Sequence, residues 1–226
     1  MGHILCLETA TTNCSVALSI NGEVIALQED NAKKYSHAER LHQYIDEVLI
    51  KAKITKSEVS AIAVSKGPGS YTGLRIGVSA AKGLSYALDI PLISIPTLDA
   101  MSYQIKPEEK DSVIVPMLDA RRMEVYSAIY DASHTQIRAT EAQILEETSF
   151  ASFLEKGKVY FIGNGVTKFK EICDHSNAIF IEESLPSSKE QSVLAHKKYE
   201  HSDFEDVAYF EPYYLKDFIA GKPKIK

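Results

Sequence analysis

Apolar positions recur every second residue at the start of the chain and every third or fourth residue after that, and the same change of period returns in the second half. Ile4 to Leu7 is an apolar run that ends at Glu8-Thr9-Ala10-Thr11-Thr12. Cys14, Val16, Leu18 and Ile20 then alternate with smaller or polar residues, the period of a strand with one buried face. Asn21-Gly22 is the favoured pair for a two-residue hairpin turn, and Val24 to Leu27 supplies the returning strand. Ser36 and Glu39 form a capping-box pair, after which Ala38, Leu41, Ile45, Val48, Leu49 and Ala52 follow helical spacing. Thr55 to Ser60 reads as a short capped turn leading into the apolar strand Ala61 to Val64. The stretch Gly67 to Gly77 follows, reading Gly-Pro-Gly-Ser-Tyr-Thr-Gly-Leu-Arg-Ile-Gly, and opens into a helix that continues to about Leu88. Ile90 to Ile95 is a further strand closed by Pro96, and Thr97 to about Ile105 reads as helix.

At Val113 the pattern begins again. Val113 to Leu118 is an apolar strand ending at Asp119-Ala120-Arg121-Arg122, Glu124 to Tyr130 alternates as a second strand, and Gln136 to Ile144 is a third. A helix near Phe150 to Lys156, a strand from Val159 to Ile162, the glycine bend Gly163-Asn164-Gly165 and a helix to about Cys173 complete the copy. The two halves share an order of elements without close residue identity. After a linker at Pro186 to Ser188, Ser188 and Gln191 can cap a helix running to about Tyr199. The tail carries Tyr209, Phe210, Tyr213, Tyr214 and Phe218; Val207 to Phe218 is expected to pack on the body, with Lys222, Lys224 and Lys226 solvated beyond it.

Two copies of strand, strand, strand, helix, strand, helix resemble the plan of the actin-like, sugar-kinase and Hsp70 type ATPases. The expected fold class is therefore α/β, as two tandem ribonuclease-H-like halves, residues 1–106 and 107–226. In that plan a nucleotide sits between the halves. Glu8 and Asp119, at the ends of the two first strands, would face each other across the cleft with Thr9, Thr11, Gly163 and Gly165. Carboxylates so placed hold water and Mg²⁺ in a working ATPase; the plainer reading is that charge commonly sits at strand ends.

The glycine-rich stretch fits neither standard phosphate pattern. A P-loop needs Lys followed by Ser or Thr after its last glycine, but Leu74 and Arg75 follow Gly73, and the dinucleotide fingerprint is missed by one residue. A bend before a helix start can still cradle an anion, or the glycines can simply let the backbone turn. Along the helix, Gly73, Gly77, Ala81 and Ser85 recur every four residues as one stripe of small side chains, which demands a closely packed neighbour. That neighbour is either the chain's own sheet or another subunit. With Leu41 and Ile45 of the first helix, the stripe makes a candidate interface.

Composition narrows the partners. Of 226 residues, 45% are hydrophobic and 25% charged, enough for a large core, and the net charge of −6 argues against gripping nucleic acid unaided. If RNA is the substrate, a partner should supply the basic surface. Three cysteines, Cys6, Cys14 and Cys173, show no CxxC spacing, no segment resembles a signal peptide and no apolar run reaches membrane-spanning length. A soluble cytoplasmic protein is expected. His37 and His42 lie five apart on a helix, about 140° around its axis, where metal ligands want a spacing of three or four; no metal site is expected. Ser70, Tyr71 and Thr72 lack the nucleophile-elbow context, and a helix-capping hydroxyl is the expected role there.

Taken together, Ile4 to Thr11, Gly67 to Gly77, Asp119-Ala120-Arg121-Arg122-Met123-Glu124-Val125-Tyr126 and Gly163-Asn164-Gly165 resemble the TsaB (YeaZ) family, over essentially the whole chain. The resemblance implies a noncatalytic partner of TsaD, which transfers a threonylcarbamoyl group to the adenosine beside the anticodon of tRNA, with the ATPase TsaE acting on the pair. It also implies a homodimer in isolation, formed by first-half helices. No cofactor is implied for this chain alone, and ATP or ADP is expected only weakly or in the complex. The family commonly has Asp where this chain has Glu8. The competing class is an independent actin-like ATPase or a peptidase-like enzyme.

Overall fold

A computed structural model describes residues 2–30 and 37–216. The first half runs β1 (His3–Glu8), β2 (Cys14–Ile20), β3 (Glu23–Asp30), α1 (His37–Ala52), β4 (Val59–Gly67), α2 (Tyr71–Leu88), β5 (Leu92–Pro96) and α3 (Thr97–Ser102). The second runs β6 (Val113–Asp119), β7 (Glu124–Asp131), β8 (Gln136–Ile144), α4 (Ala151–Leu154), β9 (Val159–Gly163), α5 (Val166–Lys170), β10 (Ala178–Glu182) and α6 (Ser188–Glu200).

The duplication is explicit in the strand order. One sheet is β3-β2-β1-β4-β5 and the other, read from its far edge, is β8-β7-β6-β9-β10. Each first strand pairs antiparallel with the second and parallel with the fourth. Even the bends correspond: β4 ends at Gly67 with φ +115° and β9 at Gly163 with φ +124°, a region that glycine occupies without strain. Strand β10 was not anticipated. Its residues are all partly exposed, so the two-residue alternation that marks a strand in sequence is weak there. Asn21 (φ 52°) and Gly22 (φ 81°) make the expected hairpin turn with both central residues left-handed. The capping residue Ser36 lies outside the described residues, as do Phe218 and the terminal lysines. Helices α3, α4 and α5 are shorter than their apolar patterns suggest.

The alternation along β1 sorts its side chains onto two buried faces. Leu5 and Leu7 join Val16, Leu18 and the α1 and α2 side chains Leu41, Ile45 and Val78 in one core, while Ile4 and Cys6 join Ala17, Ala61, Ala63 and Ala195 in another. The second core mixes alanines with Ile4, Ile93 and Ile95, and α6 enters it through Ala195. The C-terminal helix expected with the second half packs instead on the first sheet: α6 follows the second half in sequence but lies against β1, β2 and β5. Reciprocally, Leu98 and Met101 of α3 enter a core with Ile114, Leu118, Ala128 and Tyr130 of the second sheet. Tyr130 donates its hydroxyl hydrogen bond to Asp99 of α3. Each half thus contributes a helix to the other, and the halves share a continuous interior. Ser187, not Ser188, caps α6, accepting from the Lys189 N–H at 3.2 Å, whereas the Ser188 hydroxyl is 2.7 Å from that of Ser15.

Gly83 of α2 is exposed, and a Cβ there would meet nothing within 4 Å. Gly83→Ala should therefore raise stability by about 1 kcal/mol, the ordinary helix cost of glycine, which urea unfolding would measure. A loss of stability would mean that this glycine is needed for its backbone.

Candidate functional site

The glycine-rich bend lies directly on the loop that follows β1. The Ser70 N–H donates to Ala10 O at 2.7 Å, and a Cβ on Gly69 would sit 2.5 Å from that same oxygen. One turn along α2, the Thr9 hydroxyl donates to Gly73 O at 2.8 Å, and a Cβ on Gly73 or Gly77 would strike Thr9 O or Thr9 Oγ1. Ser70 caps the helix, as expected, accepting from Gly73 N–H at 3.3 Å. The stripe Gly73, Gly77, Ala81 and Ser85 is therefore buried against the chain's own β1–β2 loop and sheet. Leu41 and Ile45 are 1% and 2% exposed within the first core. All six candidate interface residues are buried within the chain, which removes them as a docking surface, and the close neighbour that Gly73 and Gly77 require is Thr9.

Glu8 also turns inward. Its carboxylate is fully buried and accepts from Ala10 N–H at 2.6 Å, from the Ser65 hydroxyl and from Gln191 Nε2–H at 2.9 Å. Desolvation pushes its pKa up from the ordinary 4.5, outweighing those three donors. It sits under α6 on the first sheet and does not face Asp119. Thr9 is likewise fully buried. Gln191, expected as a capping residue, instead completes this network.

Asp119 occupies the corresponding place on β6 and remains about half exposed, yet Lys168 of α5 pairs with its carboxylate. The same ammonium donates to Arg122 O at 2.6 Å and Glu124 O at 3.0 Å, and Asp119 accepts from the Arg121 N–H at 2.9 Å. Lys168 and Asp119 thus brace a tight turn in which Arg121 (φ 70°) and Arg122 (φ 48°) are both left-handed, a strained arrangement for residues with side chains. The Asn164 side chain accepts from the Asp119 N–H at 3.0 Å, while Gly163 and Gly165 beside it are packed against Met117 and Leu118 backbone. Lys168 was not picked out from the sequence, because a lone lysine on a five-residue helix carries no periodic signal.

Between the halves lies a cleft of about 490 Å³. Thr11, Gly69 and Ser70 line one side, Asp119, Arg121 and Asn164 the other, and Tyr213 to Lys216 of the C-terminal segment pass along it. Of the expected cleft residues, Thr11 and Asp119 reach it, whereas Glu8, Thr9, Gly163 and Gly165 support its walls from behind. Among the described residues, no group of three or more His, Cys, Asp or Glu side chains is placed to hold a metal ion. His37 is 2% exposed and donates from Nε2 to Thr11 O at 2.7 Å, and burial lowers its pKa below 6.5, so it is a neutral structural contact at pH 7. Cys6 and Cys14 are buried thiols, pushed by desolvation to about 12 and about 11. No helix among the described residues is long and apolar enough to cross a membrane.

A second concavity is an open groove between α1 and α2, of about 690 Å³, lined by His42, Arg75, Ile76, Ala80, Gly83 and Leu84. Its floor residues Ile76, Ala80 and Leu84 flank the small-residue stripe and pack on the first core. Tyr86, 85% exposed, lines an adjoining depression with Lys82, Gly83 and Val207, sharing Gly83 with the groove.

Residues 30–221 match the model of the TsaD family, described as tRNA N6-adenosine threonylcarbamoyltransferase. The chain is 28% identical to the tRNA threonylcarbamoyladenosine biosynthesis protein TsaB of Escherichia coli, covering 97% of both chains. It is 31% identical to TsaB of Bacillus subtilis, covering 76% of this chain and 75% of that one. Among solved structures, YeaZ from Pseudomonas aeruginosa superposes with a TM-score of 0.79 at 25% identity, covering 95% of this chain and all of that one (100%).

Proposed function

This chain belongs to the TsaD threonylcarbamoyltransferase family and within it to the TsaB group, and from that premise we propose that it is a noncatalytic subunit in the threonylcarbamoyladenosine modification of tRNA, binding and activating a TsaD-type catalytic subunit. The observation that carries this reading is the name shared by TsaB relatives along nearly the full chain, tRNA threonylcarbamoyladenosine biosynthesis protein. The state of the carboxylates supports the noncatalytic part: Glu8 is enclosed by its own donors and Asp119 is paired with Lys168, so neither is presented as a free ligand.

The docking face we assign is the α1–α2 groove. It is apolar at its floor, where Ile76, Ala80 and Leu84 sit, and the exposed Tyr86 lines an adjoining depression that shares Gly83 with it. Aromatic anchors next to an apolar concavity are what protein interfaces use. A catalytic subunit of the same family is the occupant; in its absence a second copy of this chain covers the groove. TsaE acts on the resulting pair, tRNA is met through the complex, and ATP or ADP enters the cleft weakly or only in that complex. An independent ATPase would need the cleft to bind Mg-ATP by itself, and a peptidase would need a general base on a nucleophile such as Ser70, whose hydroxyl instead caps α2 by accepting from the Gly73 N–H.

Reconstitution with the purified pathway proteins tests the reading. The chain alone should leave tRNA unmodified with ATP, threonine and bicarbonate, and should restore activity when added to the others. Gly83→Arg, which places a long charged side chain in the groove where a Cβ has open space, should weaken capture of the catalytic subunit at least tenfold (~1.4 kcal/mol) without lowering the melting temperature. Modification by the chain alone would overturn the function, and undiminished capture would move the docking face elsewhere.

A further inference from the structure

The described C-terminal segment is fastened unequally along its length. Its upstream part is integrated into the first half: the Glu205 N–H donates to Leu92 O at 2.8 Å, Val207 and Phe210 pack on the first core, and Lys82 Nζ donates to Ala208 O at 3.1 Å and Phe210 O at 2.9 Å. Downstream the contacts thin out. The Tyr213 N–H donates to Lys66 O at 2.7 Å, the Tyr214 ring lies 4.9 Å from that of Tyr71, and Lys216 pairs with Glu124 at 2.5 Å. Tyr213 and Tyr214 keep 44% and 37% of their surface exposed, and their contacts are with the β4 bend and Tyr71 at the cleft rim, not with a hydrophobic core.

These same four residues line the cleft between the halves, and they cross from the β4 bend of the first half to the Asp119–Glu124 turn of the second. We propose that Tyr213–Lys216 is a releasable strap over the cleft between the halves: it detaches as a unit from the Phe210 anchor onward, and its closed position limits entry. Segments with few buried apolar contacts occupy the low-stability end of local unfolding, and the strap places no side chain in the first core, whereas Val207 and Phe210 pack on it just upstream. A ligand of the cleft would then bind with an affinity reduced by the fraction of molecules whose strap is closed. This property belongs to the chain itself and is independent of the docking reading above.

Cleft accessibility measures it. The native cysteines are all buried, so Ala120→Cys, in the cleft lining, provides a single accessible thiol for a small uncharged maleimide. Ending the chain after Glu211 should raise the labelling rate of that thiol at least tenfold. In the full chain, Lys216→Glu should raise it severalfold, and adding Glu124→Lys should bring it back toward the parent rate. Equal rates in the full and shortened chains, with unchanged melting curves, would overturn the strap. If the shortened chain does not fold, the charge-reversal pair decides: no acceleration by Lys216→Glu, or no recovery in the double variant, overturns it equally.

Discussion

Gly73→Ala, introduced into the full chain, should cost about 3 kcal/mol or more, the upper range for overpacking a closely packed interior. For a chain of this size that corresponds to a fall in melting temperature of roughly 6–12 °C. Helix propensity alone predicts the opposite sign, since alanine is favoured over glycine by about 1 kcal/mol in a helix interior. The clash wins because of what the methyl group would meet. At Gly73 it strikes the backbone carbonyl of Thr9, in a loop already tied to α2 by the Thr9 hydroxyl and by Ala10 O. Neither can withdraw without breaking those hydrogen bonds. At Gly77 the obstacle is Thr9 Oγ1, a side-chain atom, and its displacement would remove the hydrogen bond to Gly73 O. Gly77→Ala should therefore be destabilising too, though less than Gly73→Ala. With Gly83→Ala stabilising, one helix would yield both signs for the same substitution. Denaturant unfolding of the three variants measures the order directly, and a neutral Gly73→Ala would show that the loop after β1 can move away from α2.

The small-residue stripe shows how far a sequence pattern reaches. Spacing of four along α2 specified that something must approach closely, and it could not specify what, because the partner is set by the fold of residues more than sixty positions earlier in the chain. The structure places Thr9 there. The exposed face of α2 is the opposite one, where Arg75, Ser79 and Gly83 break the apolar period. The order of elements was legible for a related reason: hydrophobic periodicity reports a local environment, and its recurrence in the same order along both halves implies two like units. The crossing of α6 onto the first sheet was not legible. Its apolar positions are few, and beside Ala195 it is held by hydroxyl and amide groups, Ser188 with Ser15 and Gln191 with Glu8, which read in sequence as surface.

The candidate site divides along the same line. Equivalence of Glu8 and Asp119 was visible as position in a repeat, and both do end their first strands. Their chemistry differs because it depends on what covers each strand end. Helix α6 and Ser65 enclose Glu8, whereas Asp119 opens toward the cleft and meets Lys168. Topological equivalence therefore does not carry over into a shared pair of metal-binding carboxylates.

Burial of Glu8 leads to a stability effect with a defined pH signature. Glu8→Ala removes the acceptor of three buried donors, the Ala10 N–H, the Ser65 hydroxyl and the Gln191 side-chain N–H, and leaves a void between β1 and α6. Stranding buried donors and opening a cavity together should cost about 3 kcal/mol. Glu8→Gln keeps the volume and isolates the charge. Because burial raises the folded-state pKa above the ordinary 4.5, the folded chain holds a proton on Glu8 that the unfolded chain has already released. Its contribution to stability is fully present below the unfolded pKa and is lost as the pH rises through the folded pKa, with a slope of at most about 1.4 kcal/mol per pH unit for one proton. The glutamine variant lacks that loss. Any constant penalty from its mismatched amide is the same at every pH, so the informative quantity is the difference between Gln and Glu proteins as pH increases from 4.5. That difference should grow in favour of glutamine across the interval, measured by urea unfolding at successive pH values. Parallel stability curves for the two proteins would mean that Glu8 titrates with the same pKa folded and unfolded, and that its three donors fully compensate its burial.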